Sequence, residues 1–309
     1  MNLESMKRQT IGVEVEMVLD RGKAARVAGE LFQRPETVDY IGGSYQEWQV
    51  RDNRGRVWKF KRDTSILAVG TDQCELVTPV LFYEDIPLLQ ELIRQLRKAG
   101  AKSSPDFMCG VHVHIGADGH TPATLRNLAN LMASHEALLI TALKLDQERI
   151  ERYCSTVNPD FLRVLNQKKP TSMEKLADIW YKENPGSDWD RNWHYNHSRY
   201  HMLNLHSVFT KGTVEFRLFQ FDEPSEGRKG GLHAGQLKSY IQLCLALSQQ
   251  AKEARSCSPR EPQRDNPKYA MRCWLLRLGF IGEEFETARD ILTRILTGDS
   301  AFRHGRPAA

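Results

Sequence analysis

Cys109–Gly116 reads CGVHVHIG and places two histidines two residues apart inside an apolar run. Side chains alternate between the faces of a β-strand, so His112 and His114 point one way and Val111, Val113 and Ile115 the other. The same spacing recurs twice. Glu14 and Glu16 alternate with Val13 and Val15 in TIGVEVEMVL, and Glu215 and Arg217 alternate with Val214 and Phe216 in TVEFRLF. Glu75, in CELVTP, adds one acid on a fourth strand. The ordinary reading of any one of these is the wet face of an antiparallel sheet. A solvent face, however, also uses Lys, Thr, Ser and Gln, whereas these positions hold acids, imidazoles and an arginine. Carboxylates gathered on a partly enclosed face repel one another and resist desolvation unless cations neutralise them. Taken together, the strands point to a ligand set.

Alternate residues on a strand lie about 7 Å apart, so Glu14 and Glu16 suit two neighbouring ions better than one chelated ion. Several carboxylates with an imidazole form a hard, oxygen-rich set matched to Mg²⁺ or Mn²⁺, and Mg²⁺ commonly bridges to substrate phosphates. Arg217 and Arg199 offer planar donors for phosphate oxygens. A zinc-dependent hydrolase using His112 and His114 is the alternative, because H-x-H occurs in zinc sites. His194, His197, His201 and His206 lie together in one stretch, and one of them is open as a further ligand. A non-catalytic nucleotide- or metal-binding protein is a third reading. Cys109 reads as a small buried thiol at a strand start, since no orienting acid stands near it in sequence.

The elements that must position these residues are legible in the chain. TIGVEVEMVL predicts a strand and KAARVAGELF a short helix. YQEWQVRDNRGRVWKFKRD predicts a hairpin turning at DNRG, and QCELVTPVL a strand stopped by Pro79. Leu89, Leu92, Ile93 and Leu96 have helical spacing, with Gly100 as a stop. Thr121 and Pro122 open a long helix on which His135 is a packed side chain. RYHMLNLHSVF and GTVEFRLFQF read as two strands joined by a turn at TKG, and Leu232–Ala251 as an apolar helix. Trp189, Trp193, Tyr195 and Tyr200 either pack in a core or line a pocket, where they would stack a purine or substrate. The expected fold class is α+β, a mostly antiparallel sheet with helices on one side. Residues 1–254 are expected to form the main domain. Residues 255–309 are expected to supply a linker (SCSPREPQRDNP) and short helices packed on it, ending in a loose tail, RHGRPAA.

Composition narrows the function. The 309 residues carry 43 basic and 39 acidic side chains, a net +4. So small and mixed an excess gives no basic stripe for nucleic acid. No run is long and apolar enough for a membrane span, and MNLESMKRQT has no apolar core of a secretory leader. Six scattered cysteines without a CxxC pair fit reduced thiols, and the expected location is cytoplasmic. No strand–GxGxxG–helix and no GxxxxGK[ST] occurs. Nothing in the pattern fixes an oligomeric state.

GVEVEM, DTS…CELVTP, CGVHVHIG and RYHMLNL…GTVEFRLF, in that order over about residues 11–220, resemble the amidoligase family. That family is similar to the glutamine synthetase and γ-glutamylcysteine ligase superfamily of carboxylate–amine ligases. The resemblance implies a curved half-barrel sheet, with ATP and substrates on its concave face and helices on the outer one. It implies that Glu16 and Glu75 hold a metal near the acceptor substrate, and that Glu14, His112 and Glu215 hold one at the ATP phosphates. His114 would touch the phosphate chain, Arg217 and Arg199 would steady the transferring phosphoryl group, and Asp63 and Ser65 would contact substrate. The implied activity is an ATP- and Mg²⁺- or Mn²⁺-dependent ligase joining a small-molecule or peptide carboxylate to an amine through an acyl phosphate.

Overall fold

The alternation read in TIGVEVEMVL becomes β1, Ile11–Val18, with Val13, Val15 and Met17 buried. The other strands are β2 Asp39–Gly42, β3 Glu47–Arg51, β4 Val57–Lys61, β5 Gln73–Val77, β6 Val111–Gly116, β7 Leu203–Asn204 and β8 Thr213–Phe219. The helices are α1 Leu3–Lys7, α2 Arg21–Leu31, α3 Ile86–Lys98, α4 Pro122–Leu143, α5 Gln147–Arg152, α6 Pro159–Lys168, α7 Met173–Glu183, α8 His206–Lys211, α9 Ala234–Glu253, α10 Pro267–Arg277 and α11 Glu286–Thr293. This is a computed structural model describing residues 2–184, 190–224, 230–262 and 265–304. Trp189, positions 263–264 of the expected linker and the last five residues of the expected tail lie outside those residues.

The chain divides into two compact units. The first comprises Met1–Gln9, Ile115–Arg217 and Ser239–Ala309, and the second Thr10–His114 and Leu218–Lys238. Residues 255–309 thus belong to the first unit, together with most of α9.

In the second unit the strand order is β2-β3-β4-β5-β1-β6, and β1–β5, β2–β3, β3–β4 and β4–β5 pair antiparallel. Helix α2 packs on β3, β4 and α3. Its Ala24, Ala25 and Ala28, the α3 stripe Leu89, Leu92, Ile93 and Leu96, and Trp58, Phe60 and Leu76 of the sheet are all buried. The opposite sheet face is left to polar side chains. Asp52 in the DNRG turn accepts from the backbone N–H groups of Arg54 and Arg56, at 2.9 and 3.0 Å, and from Trp58 Nε1 at 3.0 Å. Arg56 also donates to Asp85, at 2.7 and 3.1 Å, tying the hairpin tip to the start of α3. β2 lacked a sequence signal because most of its side chains are exposed and show no apolar alternation.

In the first unit, α4 opens with a capping box in which Thr121 and Thr124 each accept from the other's backbone N–H, at 3.3 and 2.8 Å. His135 stacks on Trp274 with centroids 3.9 Å apart, the packed role read from its helical position. RYHMLNLHSVF departs from the expected strand. Leu203–Asn204 pairs with Phe216 and Glu215 of β8, and His201 makes an isolated bridge to Ser155. His206–Lys211 then coils into α8, closed by Gly212 at φ 68°. A bond from Thr210 Oγ1 to the His206 carbonyl, 2.9 Å, and one between His206 Nδ1 and Tyr181 Oη, 2.7 Å, hold that helical turn. Alternating hydropathy over so few residues did not separate a strand from one and a half turns of helix. No described helix is long and apolar enough to cross a membrane. Helices and an antiparallel sheet together give the expected α+β class.

Candidate active site

Register decides which acids meet in the second unit. β1 and β5 pair so that Glu16 faces Glu75 directly, while Glu14 faces Val77. Directly opposed side chains on one face have Cβ atoms about 4.5–5.5 Å apart. β6 lies on the other side of β1, and the Gly110 N–H donates to Glu16 Oε2 at 2.5 Å. His112 Nδ1 lies 3.1 Å from Glu14 Oε2 and its Nε2 3.7 Å from Glu16 Oε1. His114 Nε2 lies 3.4 Å from Glu14 Oε1. The approach of the two strands is close here: a Cβ on Gly12 would stand 3.3 Å from the His114 Cβ. Glycine at this point of β1 gives the His114 side chain its room.

Within this unit the donors fall into two sets of three. Glu14, Glu75 and His112 offer ligand atoms all within 4.8 Å of one another, and so do Glu16, Asp63 and Glu75. Glu75 belongs to both. Glu16 and Glu75 therefore come together as expected, and so do Glu14 and His112. Asp63, expected to contact substrate, stands among the carboxylates. Ser65 donates its backbone N–H and its hydroxyl to Asp63 Oδ1, both at 2.7 Å, and so holds that carboxylate. The loop between β4 and β5 is braced by Gln73, which accepts from Arg62 Nε at 2.9 Å and donates to the Ile66 carbonyl at 3.0 Å.

Charge dominates this face. The Glu75 carboxyl is pushed well above its ordinary range, first by burial and then by the negative charges of Glu14, Asp63 and Glu16, with Lys61 partly offsetting them. Four carboxylates with one or two imidazoles are the donor set of Mg²⁺ or Mn²⁺, and a carboxylate common to two sets suits two adjacent cations. Each set holds at most one imidazole, so a site built on both histidines together does not form within either.

Glu215, Arg217 and Arg199 belong to the first unit. Glu215 accepts from Arg217 Nη1 at 2.6 Å through one oxygen and from Asn204 Nδ2 at 2.7 Å through the other. Arg217 lies 5.8 Å from the Tyr200 ring centroid, and Arg199 lies 5.7 Å from the same ring and 5.4 Å from that of Tyr195. Arg199 also donates to the His194 carbonyl at 3.1 Å. Both guanidiniums are buried, and aromatic faces hold them in place. Of the aromatic stretch, Tyr200 and Tyr195 thus serve the arginines. Asn204 carried no signal, since an asparagine in a short apolar run has many ordinary roles.

The family model described as "Putative amidoligase enzyme" matches residues 7–248. No curated protein matches the chain.

Proposed function

Because the chain belongs to the amidoligase family, a family of amide-forming ligases, we propose that it is an ATP-dependent carboxylate–amine ligase acting through an acyl phosphate, with the curved glutamine synthetase-like sheet that this chemistry implies. The observation that carries the reading is Glu75, a carboxylate common to two adjacent oxygen-rich sets on one sheet face. Glu16, Asp63 and Glu75 would hold one divalent cation, and Glu14, Glu75 and His112 a second. Bound there, Mg²⁺ or Mn²⁺ would screen the repulsion between a carboxylate and a triphosphate.

Phosphoryl transfer asks a protein chiefly for in-line positioning and charge neutralisation. Ser65 keeps Asp63 oriented, and the Gly110 N–H keeps Glu16 oriented. His114 is assigned to the phosphate chain. Arg199 and Arg217, their planes fixed by Tyr195 and Tyr200, are assigned the charge that develops on the transferring phosphoryl group. The substrate carboxylate attacks the γ-phosphorus and ADP leaves, giving an acyl phosphate. An amine then displaces inorganic phosphate and forms the amide. The substrates are small molecules or peptides.

The test is ADP release from purified protein with Mg·ATP, against pools of carboxylates and amines, beside Glu75→Gln. Substrate-dependent ADP that disappears in the variant supports the ligase. Stoichiometric zinc in the purified protein, with no Mg·ATP binding, overturns it.

A further inference from the structure

In the first unit, one buried acid takes no part in the chemistry proposed so far. Glu136 lies on α4 at 5% exposure, and its Oε1 accepts from the Val157 N–H at 2.9 Å. Val157 ends a short strip, residues 153–157, that leads into Asn158, the cap of α6. The strip lies beside the arginine pair. The Ser155 N–H donates to the Tyr200 carbonyl at 2.9 Å, the Met202 N–H to the Ser155 carbonyl at 2.7 Å, and the Arg217 N–H to the Met202 carbonyl at 2.9 Å. The Tyr153 ring meets that of Tyr200 edge-on, with centroids 6.4 Å apart, and both guanidiniums lie against Tyr200. Main-chain bonds thus run from Ser155 through Met202 to Arg217, and Glu136 pins the far end of the strip.

An amide side chain would hold that N–H without burying an acid. Burial pushes the Glu136 carboxyl up to about 7, and the Val157 N–H works against that rise. On α4 the adjacent His135 is stacked on Trp274. The strip brings Tyr153 and Cys154, and the residues beyond it His201, whose imidazole burial keeps below its ordinary range. α6 carries Asp160 and Arg163, exposed and paired with each other at 2.9 Å, and α5 carries Arg149. α11, which also packs on α4, carries Glu286, Arg289 and Asp290. Among the described residues none of these charges moves the Glu136 carboxyl. Once ionised, it is a buried charge that water would stabilise. Opening the strip lets that water in.

We infer that Glu136 is a positioning residue for the Arg199–Arg217 pair: its neutral carboxyl latches residues 153–157 against Tyr200 and Met202, and its ionisation loosens them. The phosphate role of those arginines rests on the proposed function; the latch does not. The sign follows from the raised value. Folding favours the neutral form, so its contribution is complete below the unfolded value, about 4.3, and is lost as pH climbs through about 7. A residue serving only to satisfy the Val157 N–H would leave glutamate and glutamine indistinguishable at every pH.

Hydrogen exchange of the Ser155, Met202 and Arg217 amides reads the latch directly. Wild type, Glu136→Gln and Glu136→Met are compared at pH 6 and pH 8. Opening that wets a carboxyl of folded value about 7 and unfolded value about 4.3 becomes about tenfold easier over that interval. Protection in wild type should therefore fall about tenfold relative to Glu136→Gln, which accepts the same N–H without titrating. Glu136→Met leaves that N–H unpaired and should lose protection at both pH values. Binding of tripolyphosphate, followed by calorimetry at pH 6, is the second readout. Glu136→Gln should match wild type, and Glu136→Met should bind about tenfold more weakly. Equal pH dependence in wild type and Glu136→Gln overturns the inference, as does a Glu136→Met protein that binds tripolyphosphate like a binding wild type. A wild type that binds no tripolyphosphate sinks the phosphate role given to the arginines, and the amides then decide the latch alone.

Discussion

Glu75 on β5 lies directly opposite Glu16 on β1, two acids facing each other in an antiparallel pair where opposite charges are the stabilising choice. The pairing costs stability in the protein alone, and a cation bound there would relieve it. Its consequences can be measured.

The first concerns pH. The folded-state pKa of Glu75 is raised, so the carboxyl favours folding at low pH and loses that contribution as pH climbs from the unfolded value, about 4.3, towards the higher folded one. Glu75→Gln should therefore melt at a higher temperature than wild type in metal-free buffer at pH 8, with a smaller difference at pH 5. Millimolar Mg²⁺ should raise the wild-type Tm at pH 8 by a few degrees and leave the variant nearly unmoved. A wild-type Tm indifferent to Mg²⁺ and Mn²⁺ would contradict the assignment.

A second prediction separates Asp63 from Ser65. Asp63→Asn removes a carboxylate from the Glu16–Asp63–Glu75 set and should eliminate one of two Mn²⁺ equivalents counted by electron paramagnetic resonance. Ser65→Ala removes only the hydroxyl donor and leaves the backbone N–H bond to Asp63 Oδ1. It should keep both equivalents and weaken one by about tenfold, as substitutions behind metal ligands do.

Asn204 offers a third. Its amide donates to Glu215 Oε2, and its own Oδ1 is buried without a hydrogen-bond partner among the described residues. With Glu215 as a metal ligand, the role the family resemblance implies for it, Asn204→Ala should lower the rate of ADP formation by about 10–100-fold, the usual cost of losing the partner of a metal-binding carboxylate. A rate within twofold of wild type would remove Glu215 and Asn204 from the machinery together.

The fourth is structural. Burial works to raise Asp52 and Asp85, yet hydrogen bonds from Trp58 and Arg56 to Asp52, and from Arg56 and the Phe82 N–H to Asp85, hold both below the ordinary aspartate range. A lowered carboxyl contributes stability above the unfolded pKa, about 3.9, and loses it as pH falls through the folded value. Arg56→Met removes the guanidinium shared by two buried aspartates, which keep Trp58, Arg54 and the Phe82 N–H, and should cost about 1.5–3 kcal/mol in urea unfolding at pH 7, and less at pH 3.

Period-two alternation fixed, from sequence alone, which residues of β1, β6 and β8 share a face, because strand geometry is a property of the local backbone. Glu14 with Glu16, His112 with His114, and Glu215 with Arg217 were legible for that reason, as were α3 and α4, whose apolar spacing and end signals agree. Only the tertiary structure decided that Glu75 belongs to two donor sets, because register between strands far apart in sequence depends on turn geometry and on which faces are buried. The same holds for Asp63, which enters the acid set through a loop braced by Gln73. After Asn204 the pairing with β8 stops, and helical hydrogen bonds take His206–Lys211 instead. Local chemistry chose the residue types, and non-local pairing chose their partners.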